Sequence, residues 1–268
     1  MLPFSSNLNN PTYKPATDRL FAALDSLKID YKTIINAKDI WLRDFMPVKT
    51  RDGRYVSFRY EPSYLKDSPE LRTDFKRDLE AEVREKFGIE VEYSDINLDG
   101  GNVVFSPSKT TAIVSDRVFS ENPGRAQDGL LAELERTLAA KVIVIPALKS
   151  DMTGHADGMV RFVDETTVVG NKTPYQYGHE QTVKKVLNRH GLRVIDFPYF
   201  DSKGISAVGT YLNFLETDDA IFLPVFGHEA DGEAVAAATG IFKKTVVPVR
   251  CEEIAREGGC LNCISWET

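Results

Sequence analysis

Five residues able to do chemistry recur along this chain at a nearly constant interval. Asp44, Asp99, His155, Asn213 and Cys263 lie 55, 56, 58 and 50 residues apart, each at or beside the start of a strand-like run. Cys263 belongs to the terminal stretch GGCLNCISWET, where two glycines permit a close backbone approach and a short apolar strand carries the thiol. A thiol held there can be a nucleophile, a metal ligand, half of a redox pair or inert core, since free cysteine is often buried. His155 and Asp157 form an HxD between Gly154 and Gly158. On extended backbone, residues i and i+2 share a face, so imidazole and carboxylate would point the same way. Asp44 in WLRDFMP needs a partner if buried, either Arg43 or a backbone N–H. Asp99 alone would read as a loop acid capping a turn, and Asn213 alone as a satisfied polar group.

The elements that must bring these residues together form a repeat. A strand (IWLRDFMPV) turns at Arg51-Asp52-Gly53 into a second strand (YVSFRY); a helix over 71–87 and a strand (IEVEYS) follow. NVVFSP, TTAIVSD, a helix over 126–140 and KVIVIP repeat the order. GMVRFVD, TTVVGN, a helix over 179–190 and RVIDFP do so again, as do TYLNFLE, AIFLPVF, a helix over 230–239 and KTVVPVR. A fifth unit opens with CLNCISWE and stops; its helix and last strand are supplied by residues 17–35, with Thr17 or Asp18 as helix cap. Residues 1–16 read as an irregular lead-in. Four whole units and one split between the termini predict an α/β, five-fold pseudo-symmetric ring closed by the two ends, a single domain over 1–268. Strand starts near the ring axis then converge, as catalytic groups do at the strand ends of an α/β barrel.

Composition narrows the function classes. The 268 residues are 42% hydrophobic and 27% charged, as in ordinary globular proteins. No apolar run approaches the roughly 18 residues of a membrane helix, and MLPFSSNLNN lacks a signal-peptide layout. Three cysteines without an export signal point to a reducing cytoplasm. A net charge of −7 argues against nucleic acid and mildly favours a cationic ligand. A predicted pocket with one thiol, one imidazole and three carboxylates would suppress a thiolate unless the substrate is itself a cation. A guanidinium offers forked donors that match carboxylates two at a time, and its charge favours the thiolate. The residues therefore favour attack of cysteine on a guanidinium carbon, with His155 titrating near neutrality as acid and then base.

The motifs WLRDFMP, LDGGNVV, TGHADGMVRFVD, TYLNFLE with LPVFG behind it, and GGCLNCIS resemble the Porphyromonas-type peptidyl-arginine deiminase and agmatine deiminase family. The resemblance runs from about Trp41 to the C-terminus. It implies the five-bladed α/β propeller (pentein) of the guanidine-modifying superfamily and a hydrolase with no cofactor and no metal. It also implies Cys263 as nucleophile, His155 as general acid/base, Asp157 and Asp44 as guanidinium grips, and Asn213 at a polar site position. With Asp99, the three acids form the expected substrate-binding set. The chain departs from the pattern at Cys260 and Asn262, where the family has Gly and His, and at Asp99, where agmatine and arginine deiminases have Glu. A family N-terminal block is absent or reduced to LPFSS.

The expected partner is a small cationic guanidine, either agmatine or an arginine derivative, with no nucleic acid or membrane; a homo-oligomer is compatible with the sequence. An amidinotransferase or a peptidyl-arginine deiminase would share the covalent step. A redox or metal protein using Cys260-x-x-Cys263 and a non-catalytic relative are the rival classes. Cys251, His179, His190 and His228 are assigned to packing or surface.

Overall fold

A computed structural model describes residues 1–172, 178–202 and 206–268. Each hairpin expected from alternation and turn residues is present, and each is extended by a parallel strand reached through a helix. In the first unit β3 (Val48–Lys49) pairs antiparallel with β4 (Tyr55–Arg59), which pairs parallel with β5 (Val91–Asn97). The second unit repeats this with β6 (Val104–Phe105), β7 (Thr111–Ser115) and β8 (Lys141–Ile145). The third uses β9 (Val160–Phe162), β10 (Thr167–Lys172) and β11 (Arg193–Pro198); the fourth uses β12 (Leu215–Glu216), β13 (Ala220–Val225) and β14 (Thr245–Arg250). The middle strand of each is bonded on both sides and reads as a nearly continuous buried run, as Ala112–Ser115 does.

The fifth unit is assembled from both ends of the chain. β1 (Leu2–Ser5) pairs parallel with β2 (Tyr31–Ile34), and Phe4 forms an antiparallel bridge to Ser265. The order is thus Ser265, β1, β2, antiparallel and then parallel, as elsewhere. Residues 1–16 are therefore not an irregular lead-in. Leu2, Phe4 and Leu8 are buried, and Pro3, lacking an N–H, still accepts from the Trp266 N–H through its carbonyl (3.2 Å). The helix begins at Lys14, with Pro15 in its first turn, and runs to Ser26. Thr17 is no cap; its hydroxyl lies inside the helix and donates to the Leu8 and Tyr13 carbonyls.

Helices bind neighbouring units through apolar residues four apart. Leu130, Leu134 and Leu138 of Gln127–Leu138 pack between Val56 and Phe58 of the first sheet and Ala112 and Val114 of the second. Val183 and Leu187 do the same for the second and third units. Ala234 and Ala238 lie in a core shared by the third, fourth and fifth. Leu79 and Val83 join Ile34 and Trp266 of the fifth to the first. The expected helix over 71–87 is broken into Pro69–Leu71, a π-helical Phe75–Leu79 and an α-helical Glu80–Phe87. Among the described residues, no helix is long and apolar enough to cross a membrane.

The largest correction concerns the start of each unit. IWLRDFMPV is not one strand: Leu42–Phe45 is a helical turn that precedes β3. Gly100–Asn102 and Ala156–Gly158 are 3-10 turns, so His155 and Asp157 do not share a face of a strand. Likewise CLNCISWE is a turn with a single bridge at Ser265. Backbone bonds close each turn: Asp44 N–H to Trp41 O, Asn102 to Asp99, Met159 to Ala156, Asn213 to Thr210 and Ser265 to Asn262.

Candidate active site

The five turns are tied to one another in sequence. Gly101 N–H donates to Asp44 Oδ1 (3.3 Å), and Ala156 N–H to Asn102 Oδ1 (3.2 Å). Asn213 Nδ2 donates to Asp157 Oδ2 (3.2 Å), and Asn262 N–H to the Asn213 carbonyl (3.1 Å). Arg43 N–H donates to the Cys263 carbonyl (3.0 Å), so the bonds return to the first turn. This close approach explains the paired glycines. A Cβ on Gly100 would lie 2.1 Å from the Arg43 carbonyl oxygen, and one on Gly101 2.6 Å from Asp44 Oδ1. Gly259 answers to the same constraint, lying against the Trp41 ring, 2.5 Å from where its Cβ would be.

All five residues of the periodic set, with Asp157, meet here. One cluster forms around the thiol. Asn213 Nδ2 donates to Cys263 Sγ (3.1 Å) as well as to Asp157, while its Oδ1 accepts from the N–H groups of Cys260 (3.0 Å) and Cys263 (3.3 Å). Asn262 Nδ2 donates to Asp157 Oδ2 (2.7 Å), and the Cys263 thiol faces that oxygen at 3.7 Å. Asn213, Asn262 and Asp157 are buried, whereas Cys263 is half-buried. Burial, then Asp157 and Asp44, push the Cys263 thiol well above its ordinary range, so without a ligand it is protonated.

A second cluster forms around the imidazole. His155 Nε2 lies 2.7 Å from Asp99 Oδ2, and His155 Nδ1 lies 3.5 Å from Asp44 Oδ1. Burial pulls the His155 pKa down, but Asp44, Asp99 and Asp157 more than offset it and push it up to about 10. The expected titration near neutrality is thus not that of the unliganded site. Burial and the neighbouring carboxylates Asp99 and Asp157 push Asp44 up to about 7, His155 opposing them. Arg43 is not the partner of Asp44; its side chain turns to the Asn262 carbonyl and Ser265 Oγ.

Three contributors escaped the sequence reading. Asn262, singled out in the sequence only as a departure from the resemblance, holds Asp157. Gly101 is the joint of the two clusters: a Cβ there would meet His155 Nδ1 (2.8 Å) and Asp157 Oδ2 (3.4 Å) as well as Asp44. Tyr64, in the loop EPSYLKDSPE, donates to Asp99 Oδ2 (2.9 Å). The Pro- and Ser-rich setting of Tyr64 offered no signal. Cys260 is fully buried with its thiol toward the Ala207 carbonyl (3.6 Å) and Cys251 nearby. Cys251, Cys260 and Cys263 are all free thiols.

Residues 9–268 match the model of the Porphyromonas-type peptidyl-arginine deiminase family, and the chain belongs to that family. It is therefore a hydrolase acting on C–N bonds. The agmatine deiminase of Stutzerimonas stutzeri is 27% identical over 293 residues, covering 92% of this chain and 78% of that protein. Among solved structures, the agmatine deiminase of Enterococcus faecalis superposes with a TM-score of 0.80 at 16% identity, covering 99% of this chain and 92% of that one. The C. jejuni agmatine deiminase gives 0.77 at 18%, with the same coverage. These likenesses show the α/β pentein fold.

Proposed function

We propose that this protein deiminates a small guanidine, agmatine or an arginine derivative, to a ureido product and ammonia through a covalent S-alkylthiouronium on Cys263. The observation that carries the reading is a half-buried thiol set 3.7 Å from the Asp157 carboxylate and 3.1 Å from Asn213 Nδ2, where burial and then the acids keep it protonated. That arrangement disables a nucleophile until a cation arrives, and a guanidinium is a cation whose carbon is the electrophile.

The guanidinium is gripped by Asp157 and Asp44, and its charge lowers the thiol pKa until the proton leaves to solvent. Asn213 Nδ2, already on Sγ, stabilises the thiolate. The thiolate adds to the guanidinium carbon, forming the C–S bond. The His155 imidazolium gives its proton to one NH₂, the C–N bond breaks and ammonia leaves. The neutral imidazole then takes a proton from water, whose oxygen adds to the thiouronium carbon. The C–S bond breaks, the hydroxyl proton passes to the departing thiolate, and the urea-type product is released. In the unliganded site the imidazolium is itself the cation among the acids. A bound guanidinium competes for the same carboxylates and brings His155 back toward neutrality.

The decisive assay is a panel of guanidines, including agmatine, arginine and peptidyl-arginine, with ammonia and ureido product measured together. Isosteric ureas, lacking the charge, should bind much more weakly. Equal affinity for the two series would sink the reading, and amidine transfer to an added amine without ammonia release would make the protein an amidinotransferase.

We further propose that the five units close into a single ring-shaped catalytic domain over 1–268. The β1–Ser265 bridge and the cyclic bonding of the turns support it. Deleting residues 1–30 should abolish soluble expression, whereas a native-like truncated protein would refute closure.

A further inference from the structure

Asp99 Oδ2 is shared. It takes the Tyr64 hydroxyl at 2.9 Å and His155 Nε2 at 2.7 Å. A carboxylate accepts only, so the shared oxygen fixes Nε2 as a donor and leaves Nδ1 as the nitrogen facing Asp44 and Gly101. Tyr64 is itself held from the second unit. Glu121 accepts from the Ser63 N–H (2.9 Å) and hydroxyl (2.6 Å), Arg117 donates to Ser63 Oγ (3.0 Å), and the Arg117 guanidinium lies over the Tyr64 ring at 5.5 Å. Asn97 anchors the start of the same segment, its side chain bonding both the N–H and the carbonyl of Glu61. The Tyr64 ring meets the His155 ring edge-on, with centroids 6.4 Å apart. A surface-derived loop is thus fastened by Glu121, Arg117 and Asn97 with one phenol aimed at the buried acid.

We propose that Tyr64 is a positioning residue of the reaction: its hydroxyl competes with His155 for Asp99 and so sets how strongly that carboxylate holds the imidazole proton. The proposal rests on the guanidine-hydrolase reading for its kinetic consequence, but its proton consequence does not. With the phenol in place, part of the basicity of Asp99 is spent on Tyr64, and the imidazole releases its proton more readily to a leaving nitrogen. Without it, Asp99 grips the His155 N–H harder. Burial and then Asp99 hold the Tyr64 phenol well above its ordinary range, so it stays a donor throughout. The charged and titratable groups facing the imidazole are Asp44, Asp99, Asp157 and Tyr64. Of these, only Tyr64 can be made non-donating without changing a charge.

The test follows the proton directly. The chain has four histidines, so ¹⁵N-histidine NMR of the full-length protein resolves each imidazole, and His155→Gln assigns the site signal. Tyr64→Phe should raise the His155 midpoint by about one pKa unit, the scale of one hydrogen bond to a charged group. It should also lower kcat roughly tenfold or more with KM for the guanidine within about threefold. Tyr60→Phe, which removes the hydroxyl 3.4 Å from that of Tyr64, is the control and should move the midpoint far less. If Tyr64→Phe folds poorly, 4-fluorophenylalanine at position 64 fills the space of the hydroxyl without a donor and should raise the midpoint in the same way. A His155 titration unchanged by both replacements overturns the proposal. A shifted titration in a protein that releases no ammonia from any guanidine would instead overturn the functional reading and leave the proton coupling standing.

Discussion

The two clusters of the site are built from opposite materials. Around Cys263 the contacts come mainly from neutral amides: Asn213 uses both its oxygen and its nitrogen on the fifth turn, and Asn262 steadies Asp157. Around His155 the contacts are two acids and, through one of them, a phenol. Amides can place a thiol to within hydrogen-bond tolerance without adding charge that would stabilise or repel its thiolate. On the proposed reading, the thiol's reactivity is then left to the ligand, whose cation must offset Asp157 and Asp44. Carboxylates do the reverse for the imidazole, holding it charged before any ligand arrives. The molecule thus separates placement from activation on one side and merges them on the other, which makes the two clusters breakable independently.

The largest effect is expected on the thiol side. Cys263→Ser should reduce turnover to background, because a hydroxyl lacks a base strong enough beside it at Sγ. Cys260→Ser should stay within about an order of magnitude of the parent, since that thiol is turned to the Ala207 carbonyl and away from the reacting atoms. Initial rates on the best guanidine decide it. If the two variants are equally dead and activity tracks redox state, the CxxC pair is the working unit and the comparison drawn above is mistaken.

On the imidazole side the expected defect is a stall. His155→Ala removes the acid and the base but leaves Cys263, Asn213 and Asp157 in place. Turnover should fall by roughly 10²–10⁴-fold; ammonia can still leave slowly with a proton from water, and with no base to activate the second water, intact-protein mass spectrometry of a quenched reaction should show substrate minus ammonia on Cys263. Quenched protein with no added mass would mean that His155 is already needed to form the adduct, and that the clusters are one unit.

Gly101 probes the seam between them. Its φ lies outside the left-handed region, so alanine is allowed by the backbone and fails only by contact with Asp44 Oδ1 and His155 Nδ1. Gly101→Ala should therefore lower adduct formation and hydrolysis together, roughly tenfold or more, with a stability loss of about 1–3 kcal/mol. Single-turnover kinetics separate the two steps. A loss confined to one of them would show that the seam belongs to that cluster alone.

How much of this was legible in the sequence depends on how local each cause is. The sheets were, because alternation and turn pairs such as Asp52-Gly53 act within a few residues. Convergence of Asp44, Asp99, His155, Asn213 and Cys263 was legible too, since equal repeat phase implies equal position. The turns that present them were not. Trp41 to Val48 is apolar enough to read as strand, and what coils it is the closeness of neighbouring turns, with Arg43 bonded to Cys263 and Asp44 to Gly101. β1 was hidden for a similar reason: Pro3 argues against a strand, but its partners lie near residues 31 and 265. Asn262 and Tyr64 are ordinary residues whose importance comes wholly from the acids they touch.

The smallest effect is a change of stability with pH, and its sign follows from Asp44. Burial, Asp99 and Asp157 push that carboxyl up to about 7, against roughly 4 in an unfolded chain. The fold therefore keeps a proton that the unfolded chain has already lost. Its contribution to stability is fully present below about pH 4 and is lost as pH rises through about 7. His155 adds a second window with the same sign. Raised to about 10, it favours the fold below about pH 6.5, and that advantage is lost as pH rises through about 10. Asp44→Asn removes the first window and, by taking a carboxylate from the imidazole, narrows the second from above. Urea denaturation of parent and variant at intervals from pH 4 to 10 separates the two terms, the loss of the Asp44 proton showing between pH 4 and 7 and the altered His155 titration above it. The parent's advantage should shrink steadily between pH 4 and 7. A difference that stays flat over that range would mean Asp44 is ionised in the fold throughout, and that the imidazolium alone, without help from a shared proton, neutralises the acids on its side of the site.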